Sequence, residues 1–315
     1  MSERKVIAVV GSTGAQGGAV VRAILEDPSH EFTARAITRD VNSEKAKALA
    51  AAGAEVVHAD VNDVESLKRA FAGAYGAYCV TFYWADFSAE NELKQAKNMA
   101  DAAKAEGLKH VVWSTLEDTR KFYPLDDESR MPNVDGKYKV PHFDAKGEAD
   151  QFFKDAGVPT TYMMASFYWD NFIHFGAGPT RGEDGKLVLN MPMANNKMGG
   201  IGTDDIGRSA LGIFKRPDLI GQTVGIASDF ITGEEIAKQM SDALGEPVTY
   251  NAVPFDVYRG FGFPGAVEMG NMFQFYAEEE KYFETGRNVS LTKEIDPGLE
   301  NFKAWLSKHA SQIPR

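Results

Sequence analysis

Gly11, Gly14 and Gly17 recur every third residue in Val6-Ile-Ala-Val-Val-Gly11-Ser-Thr-Gly14-Ala-Gln-Gly17-Gly, after five apolar residues and before an apolar pattern of helical period. A strand, a glycine turn and a helix in that order make a phosphate-binding device. Gly11 allows the tight turn, Gly14 lets a pyrophosphate approach the backbone, and Gly17 lets helix and strand pack closely. The helix N-terminus then turns unpaired N–H groups and a partial positive charge towards the phosphates. Arg39 follows 22 positions after Gly17, at the end of the next apolar run. An acidic residue there would bond a ribose 2′-hydroxyl and select NAD, whereas a cation binds a 2′-phosphate and selects NADP. Arg39 therefore points to NADP, with a guanidinium that also stacks on adenine; the competing reading is a solvated cation at a strand end. Asp40 sits one step further on, and strand alternation turns it to the other side. Thr38 and Ser43 offer hydroxyl donors nearby, and Lys45 or Lys47 a second charge. Asp60 is placed to contact the adenine amino group and Val61 to cover the ring. Thr81 and Phe82 fall beside the adenosine ribose and pyrophosphate, and the cluster Phe82-Tyr83-Trp84 lines a cleft or joins the core.

The elements that must hold these residues alternate strictly. Strands are expected at Lys5–Val10, Phe32–Thr38, Glu55–Ala59, Gly76–Thr81, His110–Ser114 and Thr160–Met164. Between them, Gln16–Leu25, Ser43–Ala52, Asp63–Phe71 and Ala89–Glu106 carry apolar residues at i, i+3 and i+4. Alternation of this kind means a Rossmann-type, doubly wound parallel sheet over residues 1–160. Asp63 is a candidate N-cap, Gly53 and Gly107 candidate C-caps, and Pro141 suits a first helical turn. Asp126–Lys139 is polar and reads as a long surface loop. Residues 161–315 are irregular: a hairpin, a glycine-rich turn near Gly199 and Gly200, a helix capped by Thr203 or Asp204, and a helix opening on the Thr232-x-x-Glu235 capping box. They are expected to form a smaller α+β lobe on the substrate side, with some segments returning to the sheet. In an open α/β sheet the carboxyl edge beneath such a lobe is where ligands bind.

Composition narrows the function classes. The net charge of −11, from 45 acidic against 34 basic residues, disfavours direct nucleic-acid binding. No run reaches the roughly 18 apolar residues of a membrane span. The leader Met-Ser-Glu-Arg-Lys has no apolar signal region and is expected to lead directly into the first strand. Cys79 is the single cysteine, so no internal disulfide forms and a reducing compartment is expected. The cytoplasm is the expected location, with the nucleus left open as a second one. The six histidines form no metal-ligand spacing, so no metal is expected. Met269, Met272, Phe273 and Phe275 recur at near-helical spacing and read as packing, with a roof over the site or a partner contact as the alternative.

Seven stretches together resemble the NmrA-like family, an atypical branch of the short-chain dehydrogenase/reductases, and within it the animal NADPH sensors: GSTGAQGG, ITRD, VTFYW, HFDAKGE, GVPTTYMMASFYWDNF, GFPGA and NMFQFYA. The glycine spacing is the variant associated with that superfamily. The resemblance implies an NADP(H)-binding Rossmann fold, sensing of the NADPH/NADP ratio, a regulatory protein partner, a role in transcriptional regulation and an open possibility of a homodimer. Carried over residue by residue, it implies cofactor contacts from Gly11, Ser12, Thr13, Gly14, Ala15 and Gln16, and from Arg39, Asp60, Thr81, Tyr83, Lys146, Phe167, Tyr168, Trp169 and Asp170. Hydride-transferring relatives use Tyr-x-x-x-Lys, in which the lysine binds the nicotinamide ribose and lowers the tyrosine pKa. Here the string is His142-Phe-Asp-Ala-Lys146. Lys146 keeps the ribose role, while a histidine beside a cationic lysine is expected to be driven neutral and to donate poorly. Tyr138, in the preceding loop, is the candidate replacement acid, and Tyr83 and Tyr168 are further tyrosines near the cleft. Ser114 and Thr115 occupy the catalytic-serine region, or are satisfied hydroxyls at a strand end. The sequence thus points first to a cofactor-binding redox sensor with little dehydrogenase activity, and second to an NADPH-dependent reductase of a small carbonyl or quinone.

Overall fold

Short apolar runs separated by amphipathic ones build a single wound sheet. The structure, a computed structural model, describes residues 4–315; the leader's Met1, Ser2 and Glu3 lie outside the described residues. Strand β1 (Lys5–Val9) feeds α1 (Ala15–Glu26), then β2 (Phe32–Thr38), α2 (Glu44–Ala51), β3 (Glu55–His58), α3 (Val64–Phe71), β4 (Gly76–Cys79), α4 (Ala89–Ala105), β5 (His110–Thr115), α5 (Pro141–Ala156) and β6 (Thr160–Ala165). The remainder comprises β7 (Phe167–Tyr168), α6 (Asn171–His174), β8 (Thr180–Arg181), β9 (Leu187–Met191), β10 (Lys197–Ile201), α7 (Thr203–Phe214), β11 (Thr223–Ile226), β12 (Asp229–Thr232), α8 (Gly233–Leu244), β13 (Val248–Ala252), α9 (Phe255–Arg259), α10 (Ala266–Glu278), α11 (Glu280–Gly286), α12 (Val289–Ile295) and α13 (Phe302–His309).

Seven strands form the central sheet in the order β11-β6-β5-β4-β1-β2-β3, and all its pairings are parallel. Every residue of β4 and β5 is buried, as expected of central strands covered on both faces, while β3 at the edge is half-open. One face packs on α1 and α7, through Val20, Ile24, Ile206 and Phe214. The other packs on α3, α4 and α5, through Leu67, Met99 and Phe153. A Cβ on Gly207 would strike the Ala19 backbone, so this glycine sets how closely α7 crosses α1. The reversal of strand order between β1 and β4 opens the crevice at the carboxyl edge where the candidate site sits.

The C-terminal part adds two three-stranded sheets, β12-β10-β7 and β13-β9-β8, and a further core centred on Phe167, Trp169, Phe172, Phe273 and Phe302 that also takes in Tyr123, Met131 and Phe143. The expected hairpin is β8 with β9. Two expectations are corrected here. Gly199 and Gly200 form no turn but lie inside β10, where a side chain would collide with Phe230 and Trp169 respectively. Thr203 and Asp204 do not cap α7: Gly202 stands at the N-cap, and Asp170 supplies the missing acceptor from another segment by taking the Thr203 N–H at 2.9 Å. By contrast Asp63 caps α3 and Thr232–Glu235 forms the full capping box of α8. The returning segment is β11, which adds the seventh strand beside β6.

Candidate active site

The glycine turn has the shape of an anion cradle. Gly11 adopts φ +67°, a conformation that disfavours any side chain. A Cβ on Gly17 would lie 2.7 Å from the Val10 carbonyl oxygen and closer still to Gly11, so α1 leaves β1 at a distance only glycine permits. Gly14, the N-cap of α1, has no side chain to accept the first-turn N–H groups. Ser12 turns away, donating its hydroxyl to Ile37 O at 2.8 Å, and so ties the turn to β2. Thr13, Gly14 and Ala15 are accessible at the tip. Gln16 points inward: its Oε1 accepts from Ser114 Oγ at 2.8 Å and from the Tyr78 hydroxyl, and its Nε2 meets the Tyr168 hydroxyl. Ser114 is thus a satisfied strand-end hydroxyl, and Thr115 likewise, donating to Asp150 at 2.6 Å.

At the end of β2, Arg39 is exposed. Asp40 is taken up by the turn that follows, where its Oδ1 accepts the Asn42 N–H at 2.9 Å. Ser43 caps α2 and donates to Asp40 O at 3.0 Å, so its hydroxyl is engaged in the turn. Asp60 is engaged in the same manner with Asn62, and the Val61 carbonyl accepts from Asn98. Phe82 stands 61 % exposed at the mouth of the crevice, while Tyr83 is buried. The segment Phe167–Asp170 divides: Tyr168 reaches the turn through Gln16, but Phe167 and Trp169 are core side chains, the latter donating to Ser228 Oγ at 3.2 Å, and Asp170 serves α7.

The lysine and histidine of the degenerate motif lie one turn apart on α5, each facing a carboxylate that the sequence reading missed. Lys146 Nζ donates to Thr81 Oγ1 at 2.5 Å and to Glu92 Oε1 at 2.6 Å. His142 Nδ1 lies 2.5 Å from Glu268 Oε1, which also accepts the His142 backbone N–H at 2.9 Å. Lys146 thus pairs with Glu92 and His142 with Glu268, partners that the motif by itself does not reveal. Both carboxylates carried a sequence signal. Glu92 interrupts the apolar stripe Ala89, Ala96, Met99, Ala103, and Glu268 falls on the stripe of Met272 and Phe275; a charge in such a row calls for a buried partner.

Tyr138 is held in place rather than loose. It is 7 % exposed, packs with Tyr83 and Ala145, and lies under the Arg120 guanidinium at 5.4 Å. Asp144 fixes the segment by accepting from Lys139 N at 2.8 Å and Val140 N at 3.1 Å on one oxygen and from Thr119 on the other. Burial pushes the Tyr138 phenol up, and it pushes the Tyr83 phenol up much further, with the Glu268 carboxylate adding to the rise. Beside Tyr83 and Glu268 opens a cavity of about 340 Å³ walled by Phe87, Val134, Phe263 and Val267. A second cavity, of about 460 Å³ near Arg130 and Phe255, contains none of the sequence-predicted site residues. Among the described residues no cluster of metal-ligating side chains occurs, and no helix is long and apolar enough to cross a membrane.

A seven-stranded parallel sheet wound on both faces, with a glycine turn after its first strand, defines a protein of the Rossmann type. The chain belongs to the NmrA-like family, whose model matches residues 3–306. One relative, the NmrA-like family domain-containing oxidoreductase FrzB of Cladobotryum sp, is 30% identical over 298 residues, covering 86% of this chain and 83% of its own. The solved structure of NmrA, a negative transcriptional regulator, in complex with NADP aligns with a TM-score of 0.78 at 21% identity, over 98% of this chain and 95% of that one. Citrobacter sp. triphenylmethane reductase complexed with NADP(H) aligns with a TM-score of 0.73 at 20% identity, over 98% of this chain and 100% of that one.

Proposed function

We propose that the chain is an NADP(H)-dependent oxidoreductase that reduces a small aromatic carbonyl or quinone. One observation carries this reading: a cavity of about 340 Å³, walled by Tyr83, Phe87 and Phe263 with Asp135, Arg259 and Glu268 among them, opens at Glu268, the partner of His142 one helical turn before Lys146 on α5. The residues fit the dinucleotide. The side-chain-free cradle at Gly11, Gly14 and Gly17 suits the pyrophosphate and Arg39 suits the 2′-phosphate, while Lys146, whose ammonium donates to Thr81 and Glu92, would exchange one of these contacts to hold the nicotinamide ribose. When bound, the reduced dinucleotide supplies a hydride. The protein holds it and supplies the accompanying proton.

A second reading is a regulator that reports the NADPH/NADP ratio to a protein partner. It draws support from the exposed apolar rim of Phe82, Phe87, Phe261, Phe263 and Val267, a surface that a partner would cover. The test is titration with NADPH and NADH, followed by steady-state oxidation of NADPH across aromatic carbonyls and quinones. NADPH is expected to bind at least tenfold more tightly than NADH, and Arg39→Ala to erase the difference, since a charge-assisted hydrogen bond contributes about 1.5–3 kcal/mol. Equal affinities overturn the cofactor assignment. Tight NADPH binding without turnover favours the regulator.

A further inference from the structure

Arg287 and Arg259 are both deeply set, with side chains 0 % and 9 % exposed, but their charges are met differently. Arg287 faces the buried carboxylate of Glu117. The carboxylate on Arg259 is that of Asp256, 2.7 Å from Nη1 and 95 % exposed, so water screens it. The other two acceptors are neutral: Nε donates to Asn271 Oδ1 at 2.8 Å and Nη2 to Gln274 Oε1. Both amides are committed to this orientation, because Asn271 Nδ2 donates to the Lys139 and Pro132 carbonyls and Gln274 Nε2 to the Arg130 carbonyl, which leaves only oxygens for the guanidinium. A guanidinium has five N–H groups. These three bonds leave one on each terminal nitrogen without a partner among the described residues, the donors on which a carboxylate draws. The stem is fixed as well: a Cβ on Gly270 of α10 would lie 2.6 Å from Arg259 Cγ. Burial pulls the Arg259 pKa below its ordinary value despite Asp256 and Glu278, the mark of a buried charge that its surroundings only partly compensate.

Arg259 lines both cavities. The one at Tyr83 also carries Asp135 and Glu268, which repel an anion. The other, of about 460 Å³, joins Arg259 to Gln274, Arg130 and an apolar wall of Val253, Pro254 and Phe255. Arg130 is balanced by Glu278 at 2.6 Å, so the uncompensated charge facing this cavity is the single one of Arg259. One positive charge beside an apolar wall selects a monoanion with an apolar body. We propose that the cavity of about 460 Å³ binds a small organic monocarboxylate of aromatic or aliphatic body, its carboxylate on the free N–H groups of Arg259, its body against Phe255 and Val253, and the exposed Asp256 displaced into solvent as the ligand enters. Asp256 is thus the stand-in for the ligand's charge. The site is independent of the oxidoreductase and regulator readings, and no step of it passes through the dinucleotide.

Titration of the full chain with phenylacetate and with uncharged phenylacetamide, followed by saturation-transfer NMR, tests this. The wild type is expected to bind the acid about tenfold more tightly than the amide, and Arg259→Gln to erase that preference. Asp256→Asn, which removes the rival carboxylate, is expected to tighten the acid about threefold and leave the amide unmoved. Phe255→Ala should weaken both ligands by about fivefold, which separates this cavity from the one at Tyr83. Equal affinities in the wild type, a preference that survives Arg259→Gln, or a Phe255→Ala protein that binds both ligands as the wild type does would each overturn the proposal. If Arg259→Gln does not fold, Asp256→Asn decides, since its side chain is exposed: unchanged or weakened binding of the acid overturns the assignment.

Discussion

Lys146 Nζ and Glu92 Oε1 lie 2.6 Å apart with both side chains nearly sealed from solvent, and Thr81 Oγ1 bonds to both. The contact ties α5 to the start of α4 and to the end of β4. A buried pair of this kind gives a modest net gain, because desolvation offsets most of the attraction, yet removing one member leaves an uncompensated charge. Glu92→Gln and Lys146→Met are each expected to lower stability by about 3 kcal/mol or more. The double variant should lose clearly less than the sum of the two. Urea titrations of the four proteins measure the coupling, and simple additivity would show that the pair does not interact.

Gly17→Ala tests the cradle without touching a charge. The added methyl would meet the Gly11 and Val10 carbonyls, so α1 must move off β1. Overpacking at such a point costs about 1–3 kcal/mol, and the displaced turn should also lose most dinucleotide affinity. Gly286→Ala is the matched control, because a Cβ there meets nothing within 4 Å. It should be neutral or stabilising by up to about 1 kcal/mol. Thermal melts with and without NADPH separate the two: only Gly17→Ala should lose the ligand-induced rise in Tm.

The parts of this site that were legible in the sequence are those fixed by short-range physics. The strand at Phe32–Thr38 is legible to the residue, and the glycine turn and the Asp63 cap fall where local rules put them. Glycine was misread at Gly199 and Gly200, because turn statistics cannot see that Phe230 and Trp169, from other strands, need the space. The same blindness applies to Asp170, which acts as a cap for a helix 33 residues away. The two carboxylates that set the character of Lys146 and His142 come from 54 and 126 residues away. Only the third dimension pairs them.

Arg287 should resist conservative replacement. It is fully buried, grips Glu117 through two parallel contacts, and lies over the Phe283 ring at 4.5 Å, joining the segment after β5 to the lobe. Lysine keeps the charge but offers one ammonium in place of a planar fork. Arg287→Lys is expected to cost about 1–3 kcal/mol and Arg287→Met about 3–5 kcal/mol, the latter stranding Glu117. Denaturant titration orders the three proteins, and a Lys variant as stable as wild type would show that the fork is dispensable.

Asp150 should make stability depend on pH in the direction opposite to most carboxylates. Burial pushes its carboxyl up to about 6 from an ordinary 3.8, against the pull of the Thr115 hydroxyl, Lys154 and the Trp113 indole. Because the folded value lies above the unfolded one, the folded protein binds more protons between them. The contribution is complete below about pH 4 and is lost as pH rises through about 6. Asp150→Asn keeps an oxygen for Thr115 and for the indole but has nothing to titrate. The stability of Asp150→Asn relative to wild type should therefore rise by on the order of 2 kcal/mol from pH 4 to pH 7.5, each pKa unit being worth about 1.4 kcal/mol. Urea titrations of both proteins across that range measure it; a constant difference would mean that Asp150 has the same proton affinity folded and unfolded, and that its buried contacts with Thr115 and Trp113 fully replace the water it gave up.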